Sequence, residues 1–336
     1  MTKQMEPNQA TFSPENPTSI STQSQPIVLV CAADENYAMP MTVMVYSALS
    51  NLKNNQQKLL LYILDGGIWP ATQQKVVNSL RQFKQLEINW TQPEPALFQD
   101  LSVTRYLTRT AYYRLLMPQV LPSHLNKAIY LDCDMIVQGD LTGLWQMDLG
   151  EHYVLAVLDD NQPLVSMAVG LSNYRELGLN PNQKYFNSGL LVVNLKKWRV
   201  ENIGMKVIEY SKRNREYIRD ADQDGLNAVF AGNWGELDPR WNQMPRIYTY
   251  ESWQDSPYDQ TQYELLKNNP LIIHYTNAPK PWRSGCQHPA TGLFYAYLDQ
   301  TAWSGWRDTW WRGVARKAQK DVGKVKRGLH RLGPWC

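Results

Sequence analysis

Two carboxylates one residue apart, Asp132 and Asp134, directly follow the apolar run Ala128-Ile129-Tyr130-Leu131. An extended segment sends side chains i and i+2 to the same side, so both acids can face one ligand where a buried strand reaches a sheet's edge. Adjacent anions repel unless something positive lies between them. A divalent cation with oxygen preference, Mn²⁺ or Mg²⁺, meets that need, and such ions commonly bridge one or two carboxylates to substrate phosphates. The spacing alone does not decide the matter, because strand-end turns are rich in Asp for reasons of backbone hydrogen bonding. Other oxygen and nitrogen donors stand on separate segments: Asp34, Asp222, Asp224 and His274. A histidine at a strand end could complete a metal shell with the two acids.

The elements that must position these groups follow a regular order. Pro26 to Ala33 is a continuous apolar run, as in a strand covered on both faces, and it ends at Asp34-Glu35-Asn36-Tyr37. Pro40 suits a first helical turn, and Met41, Val45, Ala48, Leu49 and Leu52 recur at helical spacing. Lys58 to Leu64 reads as a second strand, closed by Asp65-Gly66-Gly67. A helix from about Pro70 to Phe83 and a short strand around Leu86 to Trp90 follow. This alternation predicts a largely parallel sheet with helices on both faces, whose ligands gather outside the strands' carboxyl ends. Asp34, Asp65 and Asp132 all fall at that edge. A helix from about Thr108 to Leu116, ended by Pro118, leads to the strand Ala128 to Leu131. Val154 to Leu158, Leu190 to Val193 and Leu271 to His274 read as further strands, with a helix from Asp222 or Gln223 to Phe230.

With 336 residues and 43% hydrophobic content, the chain has ample material for one large α/β domain or two small ones, and it shows no internal repeat and no clear domain boundary. It has no 18-residue apolar span, and its polar N-terminus lacks a signal peptide's apolar region, so a cytoplasmic protein is expected. Four cysteines lie far apart without a CxxC pair, which argues for reduced thiols rather than zinc or disulfides. No G-x-G-x-x-G follows the first strand and no G-x-x-x-x-G-K-[ST] occurs, which removes Rossmann dehydrogenases and P-loop NTPases. Ser188 lies outside any G-x-S-x-G, so a serine nucleophile lacks its elbow.

Five blocks, in order and spacing, resemble glycosyltransferase family 8. They are Ala32-Ala33-Asp34-Glu35-Asn36-Tyr37; Tyr130-Leu131-Asp132-Cys133-Asp134; Tyr185-Phe186-Asn187-Ser188-Gly189 running on to Asn194-Leu195-Lys196-Lys197-Trp198; Asp222-Gln223-Asp224; and His274-Tyr275-Thr276-Asn277-Ala278-Pro279-Lys280-Pro281-Trp282. The likeness runs from about Pro26 to Trp282 and extends to bacterial lipooligosaccharide α-galactosyltransferases and α-glucosyltransferases. It implies a GT-A fold, an α/β Rossmann-like domain with a mostly parallel central sheet flanked by helices, over residues 26–300. It also implies a retaining transfer of galactose or glucose from a UDP-hexose to a glycan or glycolipid hydroxyl, with Mn²⁺ (or Mg²⁺) as cofactor. Carried onto this chain, Asp132, Asp134 and His274 would hold the metal and Lys280 would add positive charge at the diphosphate. Ala32, Asp34, Asn36 and Tyr37 would bind uridine, Arg114 would approach the donor, and Asn187, Asp222 and Gln223 would surround the transferred sugar. Cys133 and Asn277 complete the donor-binding set. The Cys133 side chain is expected to point away from the metal.

Two features of this chain bear on that implication. Asn277 stands where the family usually has glycine, and Asn is the next residue most tolerant of a left-handed turn. Gln223 occupies the position where a double displacement would need a carboxylate nucleophile; an amide is a poor one, so front-face attack is the expected route to retention. Taken singly, each residue also has a structural reading. Asp34 fits a helix cap, His274 a satisfied core histidine, Asn187 a turn and Asp222 a cap. A sugar-nucleotide pyrophosphorylase would carry a Gly-rich, Lys-containing loop where Asp34-Glu35-Asn36-Tyr37 stands. A non-catalytic nucleotide- or glycan-binding protein of the same fold is the other alternative.

Both ends differ from the body in composition. Residues 1–25 are rich in Thr, Ser, Gln, Asn and Pro and read as a disordered leader. Residues 302–336 carry a net charge of +7 against −4 for the rest, with Trp303, Trp306, Trp310 and Trp311 ahead of interleaved basic and apolar residues. Tryptophan anchors and basic side chains suit an interface helix on an anionic membrane. The 301–336 tail is therefore expected to attach the protein peripherally to the cytoplasmic face of a membrane, with no nucleic acid as partner.

Overall fold

The computed structural model describes residues 25–94, Phe98 and 109–309. The expected leader up to residue 24 and the basic tail from 310 onward lie outside the described residues. The first half delivers the anticipated alternation: β1 (Ile27–Ala33), α1 (Ala38–Ser50), β2 (Leu59–Asp65), α2 (Pro70–Leu80) and β3 (Leu86–Thr91). A 3₁₀ segment, Arg109–Leu116, then runs into α3 (Met117–Val120) and β4 (Lys127–Leu131). β5 (Met135–Val137), α4 (Leu141–Gln146), β6 (Val154–Leu158) and β7 (Phe186–Asn194) follow. The remainder comprises α5 (Leu195–Val200), α6 (Ile203–Arg213), α7 (Ala221–Phe230), β8 (Gly235–Glu236), α8 (Gln260–Asn268), β9 (Ile272–His274) and α9 (Thr291–Leu298).

Seven strands form one sheet in the order β3-β2-β1-β4-β7-β6-β8. The first four are mutually parallel, β7 runs antiparallel to both β4 and β6, and β8 is parallel to β6. Alternate residues of β1 feed two cores: Ile27, Leu29, Cys31 and Ala33 join α1 on one face, while Val28 and Val30 join the 3₁₀ segment and α7 on the other. That double coverage is why β1 and β2 read as continuous apolar runs. Helix α1 is buried from Ala38 to Leu49, so it lacks a polar face.

Three expectations change in detail. Pro118 does not end the preceding helix; it sits in the first turn of α3, where a missing N–H breaks no bond. Helix α2 stops at Leu80, and Phe83 beyond it packs on Tyr46, with ring centroids 5.1 Å apart. The strand read as Leu190 to Val193 begins at Phe186, so Asn187-Ser188-Gly189 is strand rather than loop.

β5 is three residues long and pairs antiparallel with β9 in a separate ribbon, placing Met135 opposite His274. A strand that short leaves no periodic signal. Residues 301–309 pack onto α2: Trp303 is buried under Lys75, whose ammonium lies 4.6 Å from the ring centroid, and Ala302 N–H donates to Ser79 Oγ at 2.9 Å. Among the described residues no helix is long and apolar enough to cross a membrane.

Candidate active site

Antiparallel pairing of β4 with β7 brings the end of one to the start of the other. Leu131 pairs with Leu190, and the next amide, Asp132 N–H, donates to the Gly189 carbonyl at 2.8 Å. Asn187 and Ser188 therefore share an edge with Asp132 and Asp134. The β5–β9 ribbon adds His274 to the same place, tied by Tyr275 N–H to the Asp134 carbonyl at 2.9 Å.

Asp132, Asp134 and His274 converge so that one ligand atom from each lies within 4.8 Å of the others. His274 Nε2 is 3.3 Å from Asp134 Oδ1 and 3.9 Å from Asp132 Oδ2. Each acid keeps its other oxygen on a fixed partner. Asp132 Oδ1 accepts from Tyr130 Oη at 3.0 Å and meets Arg114 Nη2 at 3.1 Å. Asp134 Oδ2 accepts from Lys280 Nζ at 2.6 Å. Neighbouring ligands on an octahedral ion with bonds of about 2.1 Å stand about 3 Å apart, so two carboxylates and an imidazole in this arrangement fit one hard divalent ion. Outer partners that orient such ligands are an expected part of a metal centre.

The charges around the triad are unevenly balanced. Burial pushes the Asp134 carboxyl up, but Lys280 and His274 outweigh it and hold the group well below the usual range. For Asp132, burial and the charge of Asp134 win over Arg114 and His274, and its value is raised. Arg114 is enclosed, with its guanidinium carbon 4.4 Å from the Tyr130 ring centroid, and burial opposes its charge; Asp132 and Asp222 more than compensate. Its Nη1 donates to the Ser188 carbonyl at 2.6 Å and its Nε to the Ala111 carbonyl at 3.1 Å. Asp222 Oδ2 lies 2.9 Å from that same Nε yet receives no aligned hydrogen, since the N–H points to Ala111. Burial pushes Asp222 up to about 6, with Arg114 pulling it back and Asp132 adding to the rise.

Around the next turn, Gln223 and Asn187 meet on a residue the sequence reading passed over. Asp159 Oδ2 accepts from Asn187 Nδ2 at 3.0 Å and from Gln223 Nε2 at 3.1 Å. Gln223 Oε1 accepts from Ser188 N–H at 2.8 Å. Asn187 Oδ1 accepts from Asn242 Nδ2 at 2.9 Å, and Asn242 Oδ1 stands 2.9 Å from His274 Nδ1. Asp159 ends β6 as Asp132 ends β4, so the same strand-end signal marks it. Asn242, in the 3₁₀ turn Pro239–Asn242, leaves no sequence signal.

Helix α7 delivers Asp222 and Gln223 from a turn in which Ala221 has φ 48°, a left-handed conformation that costs a non-glycine residue about 1 kcal/mol. Asp224 holds that turn: its Oδ2 accepts from Arg219 and Asp220 N–H at 2.7 and 3.0 Å, and Oδ1 from Tyr185 Oη at 2.7 Å. It is a structural residue. So is Asp65, whose oxygens accept from Gly67 N–H, Ile68 N–H and Gln73 Nε2.

The β1–α1 turn holds the remaining set. Asp34 Oδ1 accepts from Asn36 N–H at 2.9 Å and Tyr37 N–H at 3.2 Å, so it fixes the turn ahead of α1. Asn36 is exposed, and Ala32 offers a carbonyl that Cys133 Sγ approaches at 3.1 Å. The Cys133 thiol thus turns inward, away from the acids. Tyr37 packs edge-on against buried Trp282, with centroids 5.8 Å apart, and burial, Asp134, Cys133 and Asp132 raise its hydroxyl well above the ordinary value. Asn277 is exposed on the loop between His274 and Lys280 and does not use a left-handed backbone; among the described residues Asn202, Ala221 and Ala231 are the non-glycines that do.

Asp160, beside Asp159, is 3% exposed, and neither of its carboxylate oxygens has a hydrogen-bond partner among the described residues. Burial and the charge of Asp159 push it up to about 7, against a partial pull from Arg246. From about pH 4 to 7 the folded chain therefore keeps a proton that the unfolded chain has released, so this group lowers stability as pH rises through that window. Asp160→Asn removes the effect. Denaturant unfolding is expected to show the variant gaining roughly 2–4 kcal/mol over the native chain between pH 4 and 8; parallel pH profiles would contradict this.

The chain matches the family described as Glycosyl transferase family 8 over residues 28–286. General stress protein A of Bacillus subtilis (strain 168) is 30% identical over 279 residues, 82% of this chain and 94% of that protein. Lipopolysaccharide 1,2-glucosyltransferase of Escherichia coli (strain K12) is 30% identical over 271 residues, 80% of this chain and 77% of that protein. The solved structure of galactosyltransferase LgtC in complex with donor and acceptor sugar analogues aligns with a TM-score of 0.70 at 27% identity, covering 85% of this chain and 99% of that one. The sheet order, the convergent strand ends and these likenesses describe one GT-A domain, and the chain belongs to glycosyl transferase family 8.

Proposed function

We propose that this glycosyltransferase moves a hexose, galactose or glucose, from a UDP-sugar to a hydroxyl of a glycan or glycolipid, with retention and with Mn²⁺ or Mg²⁺ held by Asp132, Asp134 and His274. The observation that carries the reading is the pairing of functions at one edge. Two acids each turn one oxygen toward His274 Nε2, at 3.9 and 3.3 Å, while the amides of Asn187 and Gln223 converge on Asp159 next door. A diphosphate needs the first arrangement and a polyhydroxyl ring the second.

When bound, the ion supplies Lewis-acid charge against the negative charge gathering on departing UDP. Lys280 adds a second positive charge there, and Arg114 favours the anionic forms of Asp132 and Asp222 at its two sides. Gln223 spends its carbonyl on Ser188 N–H and its amide nitrogen on Asp159, with Tyr185 alongside, which fixes the side chain at the edge where the donor sugar is proposed to lie. Asn187, held by Asp159, Asn242 and Gly189 N–H, presents a rigid wall. The uracil base lies along Ala32, Asp34, Asn36 and Tyr37, and Asn277 lines the diphosphate. The acceptor hydroxyl enters on the face UDP leaves, and the departing phosphate takes its proton. A covalent glycosyl adduct on Asp222 or Gln223 would overturn this front-face route.

The relative named a lipopolysaccharide glucosyltransferase supports an envelope-glycan acceptor. The net charge of residues 302–336, with Trp310 and Trp311 ahead of the basic residues, supports peripheral attachment to an anionic cytoplasmic membrane surface, whereas Trp303, buried against α2, does not serve as the anchor expected of it. The deciding experiment is a panel of UDP-sugars with and without Mn²⁺, scored by UDP release. One UDP-hexose is expected to stand out, with release abolished by chelation; no binding of any UDP-hexose would end the proposal.

A further inference from the structure

The amide chain behind the metal triad has a polarity that can be read from its ends. Asp159 can only accept, so Asn187 must turn its Nδ2 toward it. Gly189 N–H can only donate, and it points at Asn187 Oδ1 at 3.0 Å, which fixes the same orientation independently. Asn242 must then give Nδ2 to Asn187 Oδ1 and turn its own Oδ1 to His274. An amide oxygen accepts, so His274 Nδ1 carries a hydrogen and its Nε2 lone pair faces Asp132 and Asp134. Asn242 is 1% exposed and has no other hydrogen-bonded partner for its side chain among the described residues.

We propose that Asn242 is the positioning residue that couples the two halves of the site. One side of its amide sets the ring orientation and tautomer of His274 for metal binding, and the other sets Asn187, and through Asp159 the amide of Gln223, for the donor sugar. The proposal rests on the metal-dependent reading of the triad, and it deepens that reading by joining metal and sugar through one buried side chain. Partners that fix a ligating histidine typically change metal affinity by about 10–100-fold when removed.

The test separates the two sides. Nitrogen-15 spectra of the native protein, with His274 assigned by a His274→Gln spectrum, are expected to show a protonated Nδ1 both without metal and with Mg²⁺; an Nε2–H tautomer with bare Nδ1 overturns the assignment. Asn242→Ala is expected to weaken Mn²⁺ binding about 10–100-fold and to release the tautomer. Asn242→Asp keeps an acceptor for His274 but places a second anion on the chain, and Asn187 can donate toward Asp159 or toward the introduced carboxylate but not both. That variant is expected to bind Mn²⁺ at least as tightly as the native protein, while UDP release at saturating Mn²⁺ falls about tenfold or more and the donor KM rises. Unchanged Mn²⁺ affinity and tautomer in Asn242→Ala, or equal loss of metal and turnover in Asn242→Asp, overturns the coupling and leaves the proposed activity standing. A native protein that binds no Mn²⁺ defeats the metal reading itself, and the tautomer measurement still decides the hydrogen-bond polarity. Should Asn242→Asp fail to fold, the native spectra and Asn242→Ala remain decisive.

Discussion

With a UDP-hexose as the proposed donor, Asp134→Asn is expected to lower UDP release by roughly 10³-fold or more. The side chain is the meeting point of two nitrogen groups: Lys280 Nζ on Oδ2 at 2.6 Å and His274 Nε2 facing Oδ1 at 3.3 Å. Asparagine keeps the shape and removes the charge. Lys280, with His274, holds the native carboxyl well below the usual range despite its burial, so the substitution removes a negative charge that is present at neutral pH. Lys280 also loses its anion while it is largely enclosed, with 19% of its side chain exposed, so the loss is of site charge as well as of a ligand. Titration of Mn²⁺ followed by UDP-release assays at rising Mn²⁺ provides the check. Native Mn²⁺ affinity together with native turnover would show that Asp134 is not a ligand.

Gly189→Ala is expected to weaken Mn²⁺ binding by roughly 10²-fold and turnover at least as far. A Cβ built on Gly189 comes within 2.9 Å of His274 Nδ1 and closer still to Cε1, and it lies 3.0 Å from Asn187 Oδ1. The Cε1–Nδ1 edge of the imidazole thus packs against Gly189, in space that any side chain would fill. The ring has no free direction of retreat, since Nδ1 is tied to Asn242 and Nε2 faces the acids. Calorimetric Mn²⁺ titration tests this, alongside far-UV dichroism to show that the fold persists. A well-folded alanine variant with native affinity would mean that His274 is not fixed where the metal needs it.

The acidic half of the site was legible before the structure, and the reasons are local. Asp132 and Asp134 follow an apolar run, and both facts survive without knowledge of the neighbours. The same logic applied to Val154 to Leu158 would have marked Asp159, since it too follows a buried strand. Asn242 could not have been found that way. Its role comes from a 3₁₀ turn docked under β9, a tertiary placement with no periodic trace. Asp65 and Asp224 show what strand-end and helix-start acids do instead of chemistry, because their oxygens are taken up by nearby backbone or side-chain donors; Asp34 spends Oδ1 on the turn ahead of α1. The parallel half of the sheet was readable from alternation, whereas the antiparallel β7 was not. Burial on both faces gives a strand the same apolar composition whichever way it runs.

The β5–β9 ribbon carries a consequence for the order in which the protein becomes competent. Lys280 meets Asp134 across 146 residues of chain, and His274 arrives with it. During synthesis the strands β1 to β4 emerge with their acids long before either basic partner exists, at translation rates of roughly 5–20 residues per second. For those seconds the acidic pair has Arg114 as its neighbouring charge and lacks a third ligand. A nascent chain halted before β9 lacks His274 and Lys280, so the candidate metal triad cannot close until that ribbon strand has emerged.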